Sequence, residues 1–275
     1  MDIDIEMPIT SKFAVLSGSV LGRRHMQNCM NNQDAIFVAE NYSGLVAVVC
    51  DGCSSAPSAE VGAKFQADIL GNALLSGLAA RTDNMGLPRG HGEIMRLAEL
   101  ALRQTFGTLL QILPGDSNSI ISTYLLATAM VVIMDDEETT IWHRGDGVWQ
   151  VNGPGPLNVI DQNDVPEYPA YGLRPFENPD DHEFKRLGDF VYKTADIQSV
   201  LIGTDGMTAF EQNAEAELNS GPMGGIDQFY EPVYLERIQE PLAQRRLFAC
   251  GPDMGWRFSR LFDDTSFVLV RRKPA

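Results

Sequence analysis

Leu45-Val46-Ala47-Val48-Val49-Cys50, followed by Asp51-Gly52, is the most informative stretch of the chain. Six apolar residues in succession, rich in Val, suit a short strand buried on both faces. The arrangement returns at Val200-Leu201-Ile202-Gly203-Thr204, again ended by an acid and a glycine, Asp205-Gly206. A third such pair, Asp146-Gly147, follows Ile141-Trp142-His143-Arg144-Gly145. Asp34 opens an apolar run after Asn31-Asn32-Gln33, and Asp263-Asp264 stands just before the last one. Asp-Gly is a common turn pair, so each of these taken singly reads as a turn. Carboxylates at the ends of several separate buried strands differ, because they can converge on one point. Mg²⁺ and Mn²⁺ need such a set of hard oxygen ligands, and a glycine after the acid lets the backbone come close to an ion.

Outward from these stretches, strand patterns fall at residues 13–20, 35–39, 45–50, 123–134, 139–143, 148–151, 190–194, 200–203 and 266–270. Between the third and fourth, Val61, Phe65, Ile69, Leu70, Leu74, Leu75 and Leu78 recur at helical spacing behind Ser58, a candidate cap. A second helix is expected over 93–113, ended by Pro114-Gly115, and a third over about 229–247. Strands, two helices, strands, a helix and a strand give an α+β fold with helices packed on largely antiparallel sheets. No Pro- or Ser-rich linker divides residues 1–275, so one domain is expected. Residues 152–187 hold Pro154, Pro156, Pro166, Pro169, Pro175 and Pro179 with little periodicity. A long irregular loop of this kind reads as a functional flap.

The bulk properties narrow the function. With 44% hydrophobic residues, the 275-residue chain has the material for a real core. Its longest apolar runs fall well short of the ~20 residues that span a bilayer, and Met1-Asp2-Ile3-Asp4-Ile5-Glu6 is acidic where a signal peptide is basic. A cytoplasmic location is expected. Net charge is −16, from 21 basic and 37 acidic residues, which disfavours nucleic acid and anionic membranes as partners. A phosphorylated substrate needs local cations to offset that field. Cys29, Cys50, Cys53 and Cys250 are too few and too unevenly spaced for a disulfide scaffold. Cys50-Asp51-Gly52-Cys53 spells C-x-x-C, but no second ligand pair completes a zinc site. Nothing in the pattern fixes an oligomeric state.

The order of these motifs resembles the metal-dependent protein phosphatases of type 2C, particularly their bacterial branch. The resemblance rests on Gly22-Arg23-Arg24-His25, Asn32-Gln33-Asp34-Ala35, Val48-Val49-Cys50-Asp51-Gly52 with Ser54-Ser55-Ala56-Pro57 and Gly62-Ala63, and Ser122-Thr123. It continues through Arg144-Gly145-Asp146-Gly147, Leu201-Ile202-Gly203-Thr204-Asp205-Gly206 and Asp263-Asp264-Thr265-Ser266, so it runs from about residue 13 to 271. It implies a four-layer α/β/β/α sandwich and a protein serine/threonine phosphatase that attacks phosphorus in line with a metal-activated water. Two Mn²⁺ or Mg²⁺ ions are implied at the mouth of the sandwich. Asp51 bridges them with help from the Gly52 carbonyl, Asp205 and Asp263 complete one ion's ligands, and Asp34 and Gln33 lie near the site. A phosphorylated protein is the implied substrate, with a Ser/Thr kinase system as an expected partner.

The chain also departs from the family. Gln33 stands where many members carry Glu, and Cys53 where better-known members carry the His that protonates the leaving group. His25 is the substitute considered for that general acid, while His91, His143 and His182 carry no motif. Asp146 is kept, but Ala209 replaces the partner acid of a third ion, which argues against a third site. Arg23 and Arg24 match the phosphate-gripping region, where a guanidinium fork fits two phosphate oxygens. The family usually has Asn where Asp264 stands, so Asp263 is the expected ligand and Asp264→Asn is expected to be mild. These departures support a rival reading, a pseudophosphatase that binds a phosphoprotein or kinase without turnover. The retained Asp51, Asp205 and Asp263 oppose it, because clustered charges are costly for a pure binder.

Overall fold

The computed structural model describes residues 12–80, 89–162, 166–173, 190–210, 226–230, 249–250, 257–258 and 262–273. Its strands are β1 (Phe13–Val20), β2 (Ala35–Asn41), β3 (Gly44–Cys50), β4 (Ala129–Met134), β5 (Glu138–Arg144), β6 (Gly147–Val151), β7 (Asn158–Ile160), β8 (Phe190–Lys193), β9 (Ser199–Gly203), β10 (Ala249–Cys250), β11 (Arg257–Phe258) and β12 (Thr265–Arg272). Two five-stranded sheets carry the architecture, with orders β2-β3-β4-β5-β8 and β1-β12-β9-β6-β7. Every pairing within them is antiparallel. The first and last long strands are partners, with Phe13 opposite Arg272 and Val20 opposite Thr265.

The apolar runs make sense once the layers are seen. Leu45, Ala47 and Val49 of β3 point between the sheets, where they meet Val200, Ile202, Val268 and Val270. Their neighbours Val46, Val48 and Cys50 point the other way, against a helical layer. Because consecutive strand residues face opposite sides, a strand buried on both faces must be apolar throughout. On the far side of the second sheet, Leu201, Phe267 and Leu269 pack with Phe210 and Phe229.

Helices α1 (Arg23–Gln27), α2 (Ala59–Ala79), α3 (His91–Ile112) and α4 (Ser117–Ile120) follow in chain order, α2 and α3 lying against the first sheet. The inward face of α2 is built from small residues and leucines, Gly62, Ala63, Ala67, Leu70, Leu74 and Leu78, while Phe65 is exposed. Ser58 precedes α2 without a side-chain capping bond; its backbone N–H donates to the Thr123 carbonyl at 3.1 Å. His91 pins the start of α3 to the β4–β5 turn, its Nδ1 2.9 Å from Thr140 and its Nε2 3.2 Å from Asp135.

One expectation is revised, and two fall largely or partly outside the described residues. The strand expected over 123–134 begins only at Ala129, because Asp116 caps α4 by accepting from the Ser119 N–H at 3.0 Å, and a π-helical turn continues through Ile121–Leu125. A short apolar run does not distinguish a buried helical turn from a strand. The flap expected over 152–187 holds strand β7 and a 3₁₀ turn at Pro169–Leu173, while 163–165 and 174–187 lie outside the described residues. Of the helix expected over 229–247, residues 229–230 end a 3₁₀ turn, Ile226–Tyr230, and the rest also lies outside the described residues.

Gly62 lets α2 touch the 121–125 turn: a Cβ there would sit 2.2 Å from the Tyr124 carbonyl oxygen and 2.7 Å from Leu125 Cα. Backbone cannot swing aside as a side chain can. Gly62→Ala is therefore expected to destabilise by about 1–3 kcal/mol, typical of overpacking, and to lower the thermal midpoint by several degrees. An unchanged midpoint in a circular-dichroism melt would mean that α2 sits further from the turn.

Candidate active site

The first sheet delivers Asp51 by extending the β3–β4 ladder past the end of both strands. The Thr128 N–H donates to the Asp51 carbonyl at 2.8 Å, Gly52 bridges Ala127, and the Cys53 N–H donates to Leu126 at 2.9 Å. Buried Gln66 of α2 stiffens this extension, its amide donating to the Thr128 carbonyl at 2.7 Å. The second sheet delivers Asp205 at the end of β9. There the Thr204 hydroxyl accepts from the Ser266 N–H at 3.0 Å and donates to Asp34 Oδ2 at 3.2 Å. Asp263 precedes β12, which lies beside β9. Thus β3, β9 and β12 bring their acids to one end of the sandwich.

Asp51, Gly52, Asp146, Asp205 and Asp263 line one cavity of ≈ 280 Å³, together with Cys53, Ser54, Ser55, Thr128, Pro166 and Tyr168. Asp34 is buried beside it. Desolvation, then the charges of Asp34 and Asp205, hold the Asp51 carboxyl well above the usual range. Desolvation and the neighbouring Asp264 do the same for Asp34. Desolvation and Asp263 raise Asp205, against a hydrogen bond with Asp51 that lowers it.

The residues fit divalent ions. Asp34 Oδ1 and Gln33 Oε1 are buried without a hydrogen-bond partner, an arrangement that costs free energy unless something satisfies it. Among the described residues no three His, Cys, Asp or Glu side chains already form a closed ligand group. An open set of carboxylates suits Mg²⁺ or Mn²⁺, which keep several waters, rather than structural zinc. The C-x-x-C offers no alternative: Cys50 is buried and its thiol is pushed up to about 12, first by desolvation.

Asp146 lines the cavity but also accepts from the Gln162 N–H at 2.8 Å, so it ties the segment after β7 to the β5–β6 turn. Buried Arg144 adds a second tie, bridging Glu99 of α3 and Glu167 of the flap at 3.6 Å each. Tyr168 follows Glu167 and lines the cavity together with Cys53. Burial raises the Cys53 thiol, but hydrogen bonds from Ser55 and Tyr168 outweigh it and hold the thiol below its ordinary value. Burial, then Cys53, pushes the Tyr168 phenol upward. Sequence reasoning missed Tyr168 and Thr128, which no pattern marks: one sits in an irregular Pro-rich segment, the other in what reads as the middle of a strand.

His25 and Asp264 sit behind the acids rather than among them. Buried Asp264 accepts from the Gly22 N–H at 2.7 Å and the Gln33 N–H at 2.6 Å, and pairs with His25 Nδ1 at 2.7 Å. His25 is 1% exposed, which removes it from the role of general acid in the cavity. Gly22 lies directly on this joint, since a Cβ there would come within 2.2 Å of the Asp263 carbonyl carbon. Helix α1 thereby turns His25 inward and leaves the two arginines outside. Arg23 stacks over Phe262 at 5.7 Å, whereas Arg24 Nη1 reaches Ser54, a cavity residue, at 3.4 Å. Asn at position 264 cannot accept from all three donors, contrary to the mild effect the family pattern implies. Asp264→Asn is expected to destabilise the metal-free protein by about 1–3 kcal/mol for each donor left unpaired. Chemical denaturation measures this, and an unchanged midpoint would refute the joint.

A family model, protein phosphatase 2C, matches residues 21–246. Among solved structures, the chain is similar to serine/threonine phosphatase Stp1 from Staphylococcus aureus, at 15% identity over 100% of both chains with a TM-score of 0.55. A bacterial serine phosphatase gives 15% identity and a TM-score of 0.53, covering 95% of this chain and 98% of that one. A sex determining protein of C. elegans gives the same two values over 96% of this chain and 65% of that one. At such identities these likenesses establish the two-sheet fold alone. Among curated proteins, none matches the chain by sequence. The family match takes in α1, Asp34, the Asp51-Gly52 extension of β3, the flap and Asp205, and the sheets around them have the family's architecture. The chain belongs to the protein phosphatase 2C family.

Proposed function

We propose that the chain is a metal-dependent protein serine/threonine phosphatase working at a binuclear Mn²⁺ or Mg²⁺ centre. The observation that carries this reading is the convergence of Asp51, Asp205 and Asp263 on one cavity, where burial and neighbouring charge raise the Asp51 and Asp205 carboxyls. Asp51, Gly52, Asp205 and Asp263 would hold the ions, with Asp34 and Gln33 behind them. When bound, the ions supply positive charge and an acidified water for attack on phosphorus. The carboxylates fix where that charge sits. Arg24 would grip phosphate oxygens, a role supported by its reach to Ser54 at the cavity, whereas Arg23 is engaged with Phe262. Asp146, bound to the flap backbone and lacking an acid at Ala209, supports two ions rather than three. Among the described residues no helix is long and apolar enough to cross a membrane, which agrees with a phosphoprotein substrate met in solution, with a Ser/Thr kinase system opposing it.

Hydrolysis of phosphoserine peptides is expected to require added Mn²⁺ or Mg²⁺ and to vanish with EDTA. Turnover that persists in excess chelator but stops on thiol alkylation would overturn the reading.

Asp51→Asn is expected to abolish that turnover while leaving the fold intact. It should also stabilise the metal-free protein at neutral pH. The folded-state pKa of Asp51 is raised, so its ionised form destabilises the fold, and the stability it forfeits grows as pH rises above its unfolded value of about 3.9. Removing the charge removes that loss. Near wild-type turnover at saturating Mn²⁺ would reduce Asp51 to a turn residue.

A further inference from the structure

Helix α1 carries Arg24 to the cavity rim, yet taken alone it is a weak element. It has five residues, no side-chain cap at Gly22 and no acid in its first turn, and a helix of that length does not hold itself together in water. Its direction therefore comes from what it is fastened to. The Arg24 N–H donates to the Phe262 carbonyl at 3.0 Å, and the Gly22 N–H donates to Asp264 Oδ1 at 2.7 Å. These two bonds fix backbone. His25 reaches the same joint with its side chain, Nδ1 lying 2.7 Å from Asp264 Oδ2, and it does so from the residue next to Arg24.

We propose that His25 is a positioning residue for the substrate phosphate: through Asp264 it sets the direction in which α1 presents Arg24. This inference rests on the phosphatase reading above. Consecutive helical side chains point about 100° apart, so a ring pinned inward at His25 fixes where Arg24 leaves the helix. The other end of the lever is rigid. Asp264 also accepts from the Gln33 N–H at 2.6 Å, its own N–H donates to Asp263 Oδ1 at 2.9 Å, and β12 begins at the next residue. Arg24 itself is exposed and meets Ser54 at 3.4 Å, a contact too long to aim a flexible side chain.

Stability alone would not select this pair. His25 and Asp264 are 1% and 3% exposed, and His25 Nε2 is buried with no hydrogen-bond partner among the described residues. A buried carboxylate and an unsatisfied ring nitrogen both cost free energy that an apolar pair of similar volume would not. What the polar pair adds is direction, because a short contact to one carboxylate oxygen fixes the ring's place where apolar side chains can slide. That direction serves the neighbouring arginine, since a positioning group displaced by roughly an ångström loses much of its effect.

The test compares His25→Leu, which removes the donor, with His25→Asn, whose amide nitrogen takes the place of Nδ1 and can still donate to Asp264. With Mn²⁺ saturating, His25→Leu is expected to raise KM for a phosphoserine peptide about tenfold, and the inhibition constant of inorganic phosphate equally. kcat should stay within about threefold, and His25→Asn should return both constants to within about threefold of wild type. Arg24→Ala alone should also raise KM, and adding His25→Leu to it should raise KM no further, because the two act through one contact. Mn²⁺ affinity of His25→Leu, read by calorimetry, should match wild type, since β12 holds Asp263 in either protein. Should His25→Leu not fold, His25→Gln, whose amide lies one bond further out, takes its place with the same KM rise expected. A loss confined to kcat, no rescue by His25→Asn, additive effects of His25→Leu and Arg24→Ala, or weakened Mn²⁺ binding would each overturn the proposal while the phosphatase reading stands. Wild-type protein inert toward the peptide with Mn²⁺ would instead overturn the phosphatase reading, and this inference with it.

Discussion

Mutual repulsion among carboxylates is the constraint on which the rest of the molecule depends. Asp34, Asp51, Asp205 and Asp263 are near enough to perturb one another, and free side chains in water would move apart. They stay together because each sits within a residue or two of a strand end or strand start whose position is fixed by burial. β3 and β9 are apolar on both faces, so neither can slide or rotate without exposing core residues. The sandwich acts as a clamp: hydrophobic burial holds charges where electrostatics alone would scatter them. The Asp264 joint extends the clamp to α1, so the arginines and the acids move as one body.

This division of labour explains what could be read from the sequence. Doubly buried strands announce themselves as apolar runs, and the acids that end them stand out against such runs. β1, β3 and β9 were therefore legible almost to the residue, as were Asp51 and Asp205. The flap's contribution was not. Tyr168 and Asp146 line one cavity and Gln162 bonds to Asp146, all through tertiary contacts between segments with no period. Ile121–Leu125 misled for a different reason. Its isoleucine, tyrosine and leucine satisfy a helical turn as well as a strand, and the deciding feature was the Asp116 cap that precedes them. His25 was legible as unusual but not as buried, since its partner Asp264 lies 239 residues away.

The strongly negative net charge acquires a role beside this site. A field that repels phosphoproteins in general leaves recognition to whatever cation the cavity presents. Arg24 at the rim and the ions in the cavity would supply that charge locally, so attraction begins only at short range.

The pairing of β1 with β12 has a bearing on how the molecule comes into being. The first sheet is drawn mostly from one continuous stretch, β2 to β5, and can form while later residues are still being synthesised. The second sheet cannot, because its two longest strands, 13–20 and 265–272, come from opposite ends of the fold. Contacts of such sequence separation form slowly and late. Asp263 and Asp264 arrive with that final strand. A nascent chain would therefore carry Asp51 and Asp205 with their partners missing, and the site would become whole only in the last step of folding.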